Sequence, residues 1–443
     1  MAQKELNQNQ SGGNPDHAPE YSRVDNPLAR FIEASISENG PMPFDQYMNI
    51  WNNGVTLEDG TTYPGFYNSE QTTIGTHGDL YGEGQYDFGT FPEMTPIYGH
   101  LMAKQITQMW ELMDKDPSFQ IVEMGGGNGT LAHDILLGLR HFAPDLNPKY
   151  KIVEQSPVLV QKQRQKVGEM GVEVIEGSAL DSLPTDVKGV FISNELLDDL
   201  PAKMLHRIED GWAEIYVMNR DQDNFVFTLG PATPEAAEYA SRYLTNVKVG
   251  ERYPVSLAGK AWQDAMAASL KNGFIITVDY YNMEGVRKYA PIHSKGRVVL
   301  APNSDEADLL FKENVGKANI TSTPDFITFA RTGEEKGLKV VGDVAASGFT
   351  LGMEMEDLLR EGEHMKSEEK IARFGQRYQE VNPIYSRFYL TTSSQRILIQ
   401  SKGVDMDGKE LSGSRFRFHH SLRDGDKFYS DRFVPVKPDL EDN

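Results

Sequence analysis

The chain has no cysteine among its 443 residues, which removes disulfide bridges, thiolate nucleophiles and cysteine-ligated zinc together. That fits a reducing compartment. No apolar run nears the length of about 18 residues that a membrane-crossing helix requires, so none is expected. Positive charge is scarce as well: 44 Lys and Arg against 65 Asp and Glu leave a formal net charge of −21. This is the wrong sign for a surface that gains affinity by neutralising nucleic-acid phosphates. No acidic block gathers the excess into a tail, and solubility accounts for it. Histidines do not pair at metal-ligand spacing beside acids, so no metal centre is expected. What is present is an ordinary globular composition, 39% hydrophobic and 25% charged, in a chain longer than one hydrophobic core usually serves.

Residues 1–25 are polar, rich in Gln and Asn, and carry Glu5, Asp16 and Glu20. They lack the apolar core of a secretory signal and the Arg-rich, acid-poor character of a mitochondrial presequence. The expectation is a disordered tail on an untargeted, cytoplasmic protein. Residues 26–118 read as a helical and loop-rich lid segment. Apolar positions recur at helical spacing in NPLARFIEASISENGPMPFDQYMNIWN and in PIYGHLMAKQITQMWELM. The Gly- and Tyr-rich stretch between them, residues 58–93, is long for a loop without function.

Between residues 119 and 300 strands and helices alternate. FQIVEM, YKIVEQ, VEVIEG, GVFISNE and GFIITVDYY read as strands, with TLAHDILLGLRHF and PVLVQKQRQKVGEM as crossover helices. This is the pattern of a parallel sheet. An insertion over about 204–271 reads as an antiparallel hairpin followed by a helical excursion. Residues 301–443 read as a C-terminal α/β elaboration and tail: a helix and strand in DFITFARTGEEKGLKVVGDVAASG, a helix in SEEKIARFGQRYQEV, and an edge or terminal strand in RFYLTTSSQRILIQSKG.

One stretch stands out, IVEMGGGNGTLAHDIL, a strand, a Gly-rich turn and a helix. It has the form of the mononucleotide-binding half of a doubly wound sheet. Four glycines within five residues cost backbone entropy and require positive-φ positions or close approach by another molecule. A P-loop would end in Gly-Lys-Ser/Thr, which is absent. A dinucleotide fingerprint counted from Gly125 would need glycine at position 130, where Thr130 stands. What remains is Glu123 followed by Gly125, Gly127 and Gly129. This resembles motif I of class I S-adenosylmethionine (SAM) methyltransferases, where the turn approaches the amino-acid and ribose parts of the cofactor. An acid at the strand end suits a ligand that carries an ammonium and a sulfonium. Glu154 ends the next strand, where such folds place a carboxylate on the ribose hydroxyls. Gly177 and Ser178, after the third strand, fall where the adenine rests.

From about Phe44 to Met353 the chain resembles the MidA-like SAM methyltransferases, a family whose mitochondrial members assist assembly of respiratory complex I. Tyr47-Met48 and PGFY match the family's opening segment. IGTHGD and DFGTFPEMTPIYG are similar to I-G-x-x-G-D and D-F-x-T-S-P-E-x-x-x-x-F-G. VEMGGGNGTLAHDIL and YKIVEQSPVLVQKQ follow in order, then SNELLDDLP, which resembles N-E-F-F-D-A-L-P. GFIITVDYY resembles the strand ending in I-D-Y-G, and NITSTPDF resembles D-I-T-x-x-V-D-F. The resemblance implies a Rossmann-like class I fold with an N-terminal helical lid and a C-terminal α/β elaboration. It also implies SAM as cofactor and a loop carrying Asp87, Thr90 and Glu93 that closes over the cofactor's amino-acid end. The chain departs from the family at Phe91 for Ser, Asp199 for Ala and Asn319 for Asp. GRVVLAPNSD stands in place of G-T-x-x-x-Y, and VTLEDGTTY reads as inserted.

Methyl transfer from a sulfonium is an in-line displacement, so holding the acceptor carries much of the rate. SNELLDDLP ends the fourth strand on the side where open α/β sheets bind ligands. Asn194 and Glu195 would face the methyl, and Asp198 would orient the acceptor or support Glu195. Helix capping by Asn194 or Asp198 is the structural alternative. His77 is the candidate general base, whereas His100 and His133 read as packing or surface residues. Asp279 either contacts the acceptor or caps the next turn. Tyr63, Tyr67, Tyr81 and Tyr86 form an acceptor wall or anchor a Gly-rich loop.

For the acceptor, the resemblance implies an arginine nitrogen on a protein partner, its guanidinium clamped by Glu195 and Asp198. The departures, the absence of a presequence pattern and the Tyr/Gly-rich loop favour instead an oxygen of a small molecule, and this is the expectation taken. A cofactor-binding assembly factor with little catalysis is the third reading. No nucleic acid, no membrane and a homodimer complete the expectations.

Overall fold

A seven-stranded sheet runs through the centre of the computed structural model, which describes residues 26–70, 74, 90–245, 247–280, 309–317, 319–346, 348–350, 352–353, 395–414, 416–417 and 434–435. Its strands are β1 (Gln120–Met124), β2 (Lys149–Glu154), β3 (Glu173–Glu176), β4 (Val187–Asn194), β5 (Leu270–Tyr280), β6 (Lys339–Ala345) and β7 (Gln395–Lys402). They lie in the order β3-β2-β1-β4-β5-β7-β6. The first five are parallel, with Glu123 of β1 opposite Ile152 of β2 and Ile192 of β4. β7 runs antiparallel to both its neighbours. This is a doubly wound, mostly parallel α/β sheet of the Rossmann-like kind.

Helices cover both faces, so the strands are apolar on both sides. On one face α3 (Pro96–Leu112) and α4 (Thr130–Phe142) pack Leu101, Ile106, Leu131 and Ile135 against Ile121, Ile192, Phe274 and Ile276. On the other, α6 (Leu257–Ser269) and α7 (Phe326–Glu334) pack Trp262, Met266 and Phe329 against Val122, Phe191, Ile275 and Leu398. The remaining crossover helix, α5 (Pro157–Val167), starts with Ser156 accepting the Leu159 N–H, an N-cap that a Pro at the first helical position suits.

The chain inserts a second sheet between β4 and β5. Its strands Lys203–Ile208, Gly211–Asn219 and Asn224–Pro231 are antiparallel neighbours, flanked by Arg252–Val255 and Leu309–Phe311, and Met42–Pro43 pairs with Gly211–Asn219. The sequence suggests a hairpin and a helical excursion there; the strands brought in from distant segments leave no local signal. Helices α1 (Pro27–Asn39) and α2 (Phe44–Asn53) cover this sheet, burying Ile32, Phe44, Tyr47 and Trp51 against Met204, Ile215, Val217 and Phe225. The N-terminal helices thereby become a packed wall beside the central sheet.

β7 corrects the reading of RFYLTTSSQRILIQSKG as an edge or terminal strand. It lies between β5 and β6, with Ile397, Leu398 and Ile399 no more than 1% exposed. Its polar residues mimic an exposed face, but two of them find partners inside: Gln400 accepts a hydrogen bond from Gln263 Nε2 at 2.9 Å, and Arg396 pairs with Asp343. The helix expected in SEEKIARFGQRYQEV and the tail expected over residues 1–25 lie outside the described residues.

Candidate functional site

A cleft of about 220 Å³ opens where β1, β2 and β4 end, the edge at which open α/β sheets bind ligands. β1 leads into a turn in which Gly125, Gly127 and Gly129 have φ of 69°, 51° and 79°. An L-residue in that left-handed region costs roughly 1–2 kcal/mol. A Cβ on Gly127 would meet only Ile74 Cδ1, at 3.8 Å, so the turn offers its bare backbone to the cleft. Gly129, the N-cap of α4, does not line the cleft, a correction to its expected cofactor contact; a Cβ there would lie 3.5 Å from Gln163.

Two carboxylates flank the turn. Glu123 is buried and accepts a hydrogen bond from the Tyr150 hydroxyl at 2.7 Å. Burial pushes its carboxyl up to about 8, against the opposing pull of that hydrogen bond. Glu154 ends β2, accepting from the Ser156 N–H at 2.9 Å and from Gln163 Nε2 at 3.2 Å. Burial raises its carboxyl too. Each Glu154 oxygen thus keeps acceptor capacity for a further donor. Both carboxylates line the cleft.

Thr90 and Glu93 also reach it. Glu93, in the helical turn Phe91–Met94, accepts from Thr130 Oγ1 at 2.6 Å and Asn128 Nδ2 at 3.2 Å. It ties that turn to the glycine turn. Ser178, Ala179 and Leu180 form the far wall. Gly177 does not line the cleft, a correction to its expected place beneath the adenine. A Cβ there would lie 2.0 Å from Ser182 Oγ, so its small size serves the 177–182 turn.

At the end of β4, Asn194, Glu195 and Asp199 line the cleft. Glu195 has φ of 52°, rare for a side chain with a Cβ and a strain found mostly at functional sites. Its N–H donates to Val278 O at 2.8 Å. Its Oε1 accepts from the Phe91 N–H at 3.1 Å, Asn194 Nδ2 at 3.1 Å and Gln395 Nε2 at 2.9 Å, and its Oε2 accepts from the Tyr280 hydroxyl at 3.1 Å. Burial raises its carboxyl, and these four donors pull it back. Asn194 in turn accepts from the Tyr98 hydroxyl at 2.9 Å. Asn194 therefore caps no helix.

Asp198 is corrected. It does not line the cleft; it is buried behind it, its N–H donating to Asp279 Oδ2 at 3.1 Å and its carbonyl accepting from the Ser322 N–H at 2.7 Å. Asp279 is buried as well, also accepts the Tyr280 N–H at 2.6 Å and does not line the cleft, so it ties turns together. The carboxylate that reaches the cleft is Asp199, one residue on. Tyr67 donates to it at 2.5 Å, and Asn319 Nδ2 donates to Tyr67 Oη at 3.2 Å. Burial pushes Asp199 up to about 7.

His77, Asp87, Tyr81 and Tyr86 lie outside the described residues. His100 Nδ1 sits 2.8 Å from Pro96 O and His133 Nδ1 2.8 Å from Asp134 Oδ1, and neither lines the cleft. Tyr63 stacks on Phe31 at 5.9 Å, which leaves Tyr67 as a wall residue. Sequence reasoning missed Asp199, which had registered only as a departure from a family pattern. It also missed Tyr150, Tyr98, Tyr280 and Gln395, for which no local motif exists. Among the described residues no cluster of three His, Asp or Glu is placed to hold a metal ion, and no helix is long and apolar enough to cross a membrane.

Residues 101–344 match the family described as "Putative S-adenosyl-L-methionine-dependent methyltransferase". The chain is 30% identical over 232 residues to the mitochondrial protein arginine methyltransferase NDUFAF7 of Xenopus tropicalis, covering 46% of this chain and 50% of that protein. With the mitochondrial NDUFAF7 homolog of Caenorhabditis elegans it shares 28% identity over 217 residues, 45% of this chain and 48% of the relative. The chain thus spans about half the length of the curated relatives it matches. A Burkholderia thailandensis protein described as a "likely methyl transferase" and solved with S-adenosyl-homocysteine superposes with a TM-score of 0.65 at 23% identity, over 87% of this chain and 94% of that one. This is a likeness of fold. The curated relatives are named mitochondrial, which overturns the expectation of a cytoplasmic protein.

Proposed function

We propose, because this chain belongs to the S-adenosyl-L-methionine-dependent methyltransferase family, that it methylates a guanidinium nitrogen of an arginine on a protein partner. The residues present fit the cofactor: the glycine turn leaves its backbone open to the cleft at Gly127, and Glu123 and Glu154 line the same cleft. Glu123 would accept the ammonium, Glu154 the ribose hydroxyls, and Ser178 with Leu180 would border the adenine. Thr90 and Glu93 close the amino-acid end. When bound, the cofactor supplies an electrophilic methyl on a positively charged sulfur.

The observation that carries the acceptor reading is that two carboxylates, Glu195 and Asp199, line the same cleft as the glycine turn. Carboxylates orient a planar, cationic guanidinium through charge-assisted hydrogen bonds. A nitrogen that takes the methyl must give up one N–H proton, and Glu195, its proton affinity raised by burial, is placed to receive it. This reading replaces the small-molecule oxygen acceptor expected from sequence, and the names of the curated relatives support it. A module that merely bound the cofactor would have no use for a strained Glu195 held by four donors.

The test is incubation of the protein with methyl-labelled SAM and a cell extract, followed by separation of protein from small molecules and acid hydrolysis. Label in methylarginine is expected. Label confined to the small-molecule fraction would sink the arginine reading.

A further inference from the structure

Glu195 is the one residue of the acceptor wall whose carboxylate is gripped from four directions. Phe91 belongs to the helical turn before α3, Asn194 to the end of β4, Tyr280 to the end of β5, and Gln395 to the first position of β7. Gln395 is buried, and its amide points Nε2 at Glu195 Oε1, while its own Oε1 meets no hydrogen-bond partner among the described residues. A buried amide with one end unpaired costs free energy, and the bond that its other end makes to Glu195 offsets part of that cost.

We infer that Gln395 and Tyr280 are positioning residues that hold the Glu195 carboxylate charged and turned toward a cationic acceptor. The inference rests on the arginine reading for the identity of the cation, but the state of Glu195 can be measured without it. Among the described residues the acids around Glu195 are unfavourable to its charge: Asp198 and Asp199 follow it and Asp279 faces it from β5, while the neutral hydroxyls of Tyr98 on α3 and Tyr280 on β5 are the other titratable neighbours, the second a donor to it. Among the described residues no cation pairs with it. Neutral donors are therefore what favours its charged form against burial. Removing one must raise its proton affinity and move the acid limb of the rate to higher pH.

The experiment follows the Glu195 carboxyl carbon by NMR titration in the full-length protein, its signal identified by its loss in Glu195→Gln. The same titration is run in Gln395→Ala and in Tyr280→Phe, alongside pH profiles of methyl transfer and SAM affinity. Tyr280 is 39% exposed, so losing one oxygen there keeps the test open should Gln395→Ala not fold. Each variant is expected to titrate about half a unit to one unit higher than the parent, with an equal shift of the acid limb and SAM affinity unchanged within about threefold. Folded variants that titrate within about 0.2 unit of the parent overturn the inference. If the parent makes no methylarginine, the arginine reading fails while the titration still decides the role of Gln395 and Tyr280.

Discussion

At the cofactor end of the cleft the shaping features lie close together in the chain: β1, three positive-φ glycines and the start of α4 fall between Gln120 and Thr130, and Glu154 ends the adjoining strand. At the acceptor end one carboxylate gathers donors from Phe91, Asn194, Tyr280 and Gln395, residues that meet only once the whole sheet has formed. A cofactor common to many enzymes can be met by a local turn on one βα unit. An acceptor site has to be completed by several segments at once. The two ends should therefore fail differently when they are damaged.

The largest separation comes from Glu195→Gln, which keeps shape and removes charge. Methyl transfer should fall by about 10²–10⁴-fold, while calorimetry finds SAM affinity little changed. Glu154→Ala should do the reverse, weakening SAM by roughly 1–3 kcal/mol with the rate at saturating SAM largely kept. If the rate at saturation collapses instead, the two ends are not separable. Gly125→Ala forces a Cβ into φ of 69°, and should cost about 1–2 kcal/mol of stability or SAM affinity, read from thermal unfolding with and without the cofactor.

A smaller effect concerns protons. Glu123 holds its proton up to about 8 in the folded protein against an ordinary value of 4.5. Between those values the unfolded chain binds fewer protons, so Glu123's contribution to stability is complete below 4.5 and is lost as pH rises through about 8. An arriving ammonium reverses the preference. SAM binding near pH 7 should release a fraction of a proton, and affinity should climb toward pH 8. Calorimetry in buffers of different ionisation enthalpy measures that release, which Glu123→Gln should abolish. Smallest of all, His100→Ala, outside the cleft on α3, should change stability and activity by no more than about 0.5 kcal/mol.

How much of this was legible follows the same division. The parallel sheet, α4 from Thr130 to Phe142 and the positions of Glu123, Glu154 and Glu195 could be read because apolar runs, glycines and strand-end acids lie next to one another in the chain. Gln395 could not, since nothing about RFYLTTSSQRILIQSKG announces that its strand enters between β5 and β6 and delivers an amide to β4. Asp198 and Asp199 differ by one place in a turn. Which of them enters the cleft is decided by Ser322 and Asp279 holding the first, and by Tyr67 meeting the second. The inserted sheet hid because Met42–Pro43 and Leu309–Phe311 come from far away to join it.

The central claim is that one end of the cleft holds SAM and the other presents a charged carboxylate to arginine. Its most direct test measures both on one preparation: SAM affinity by calorimetry, and methyl-labelled arginine recovered from hydrolysed protein, for the parent and for Glu195→Gln. The expected result is equal affinity, with methylarginine formed by the parent and nearly absent with the variant. Methylarginine at the parent's level from the variant, or SAM affinity lost together with activity, would contradict it.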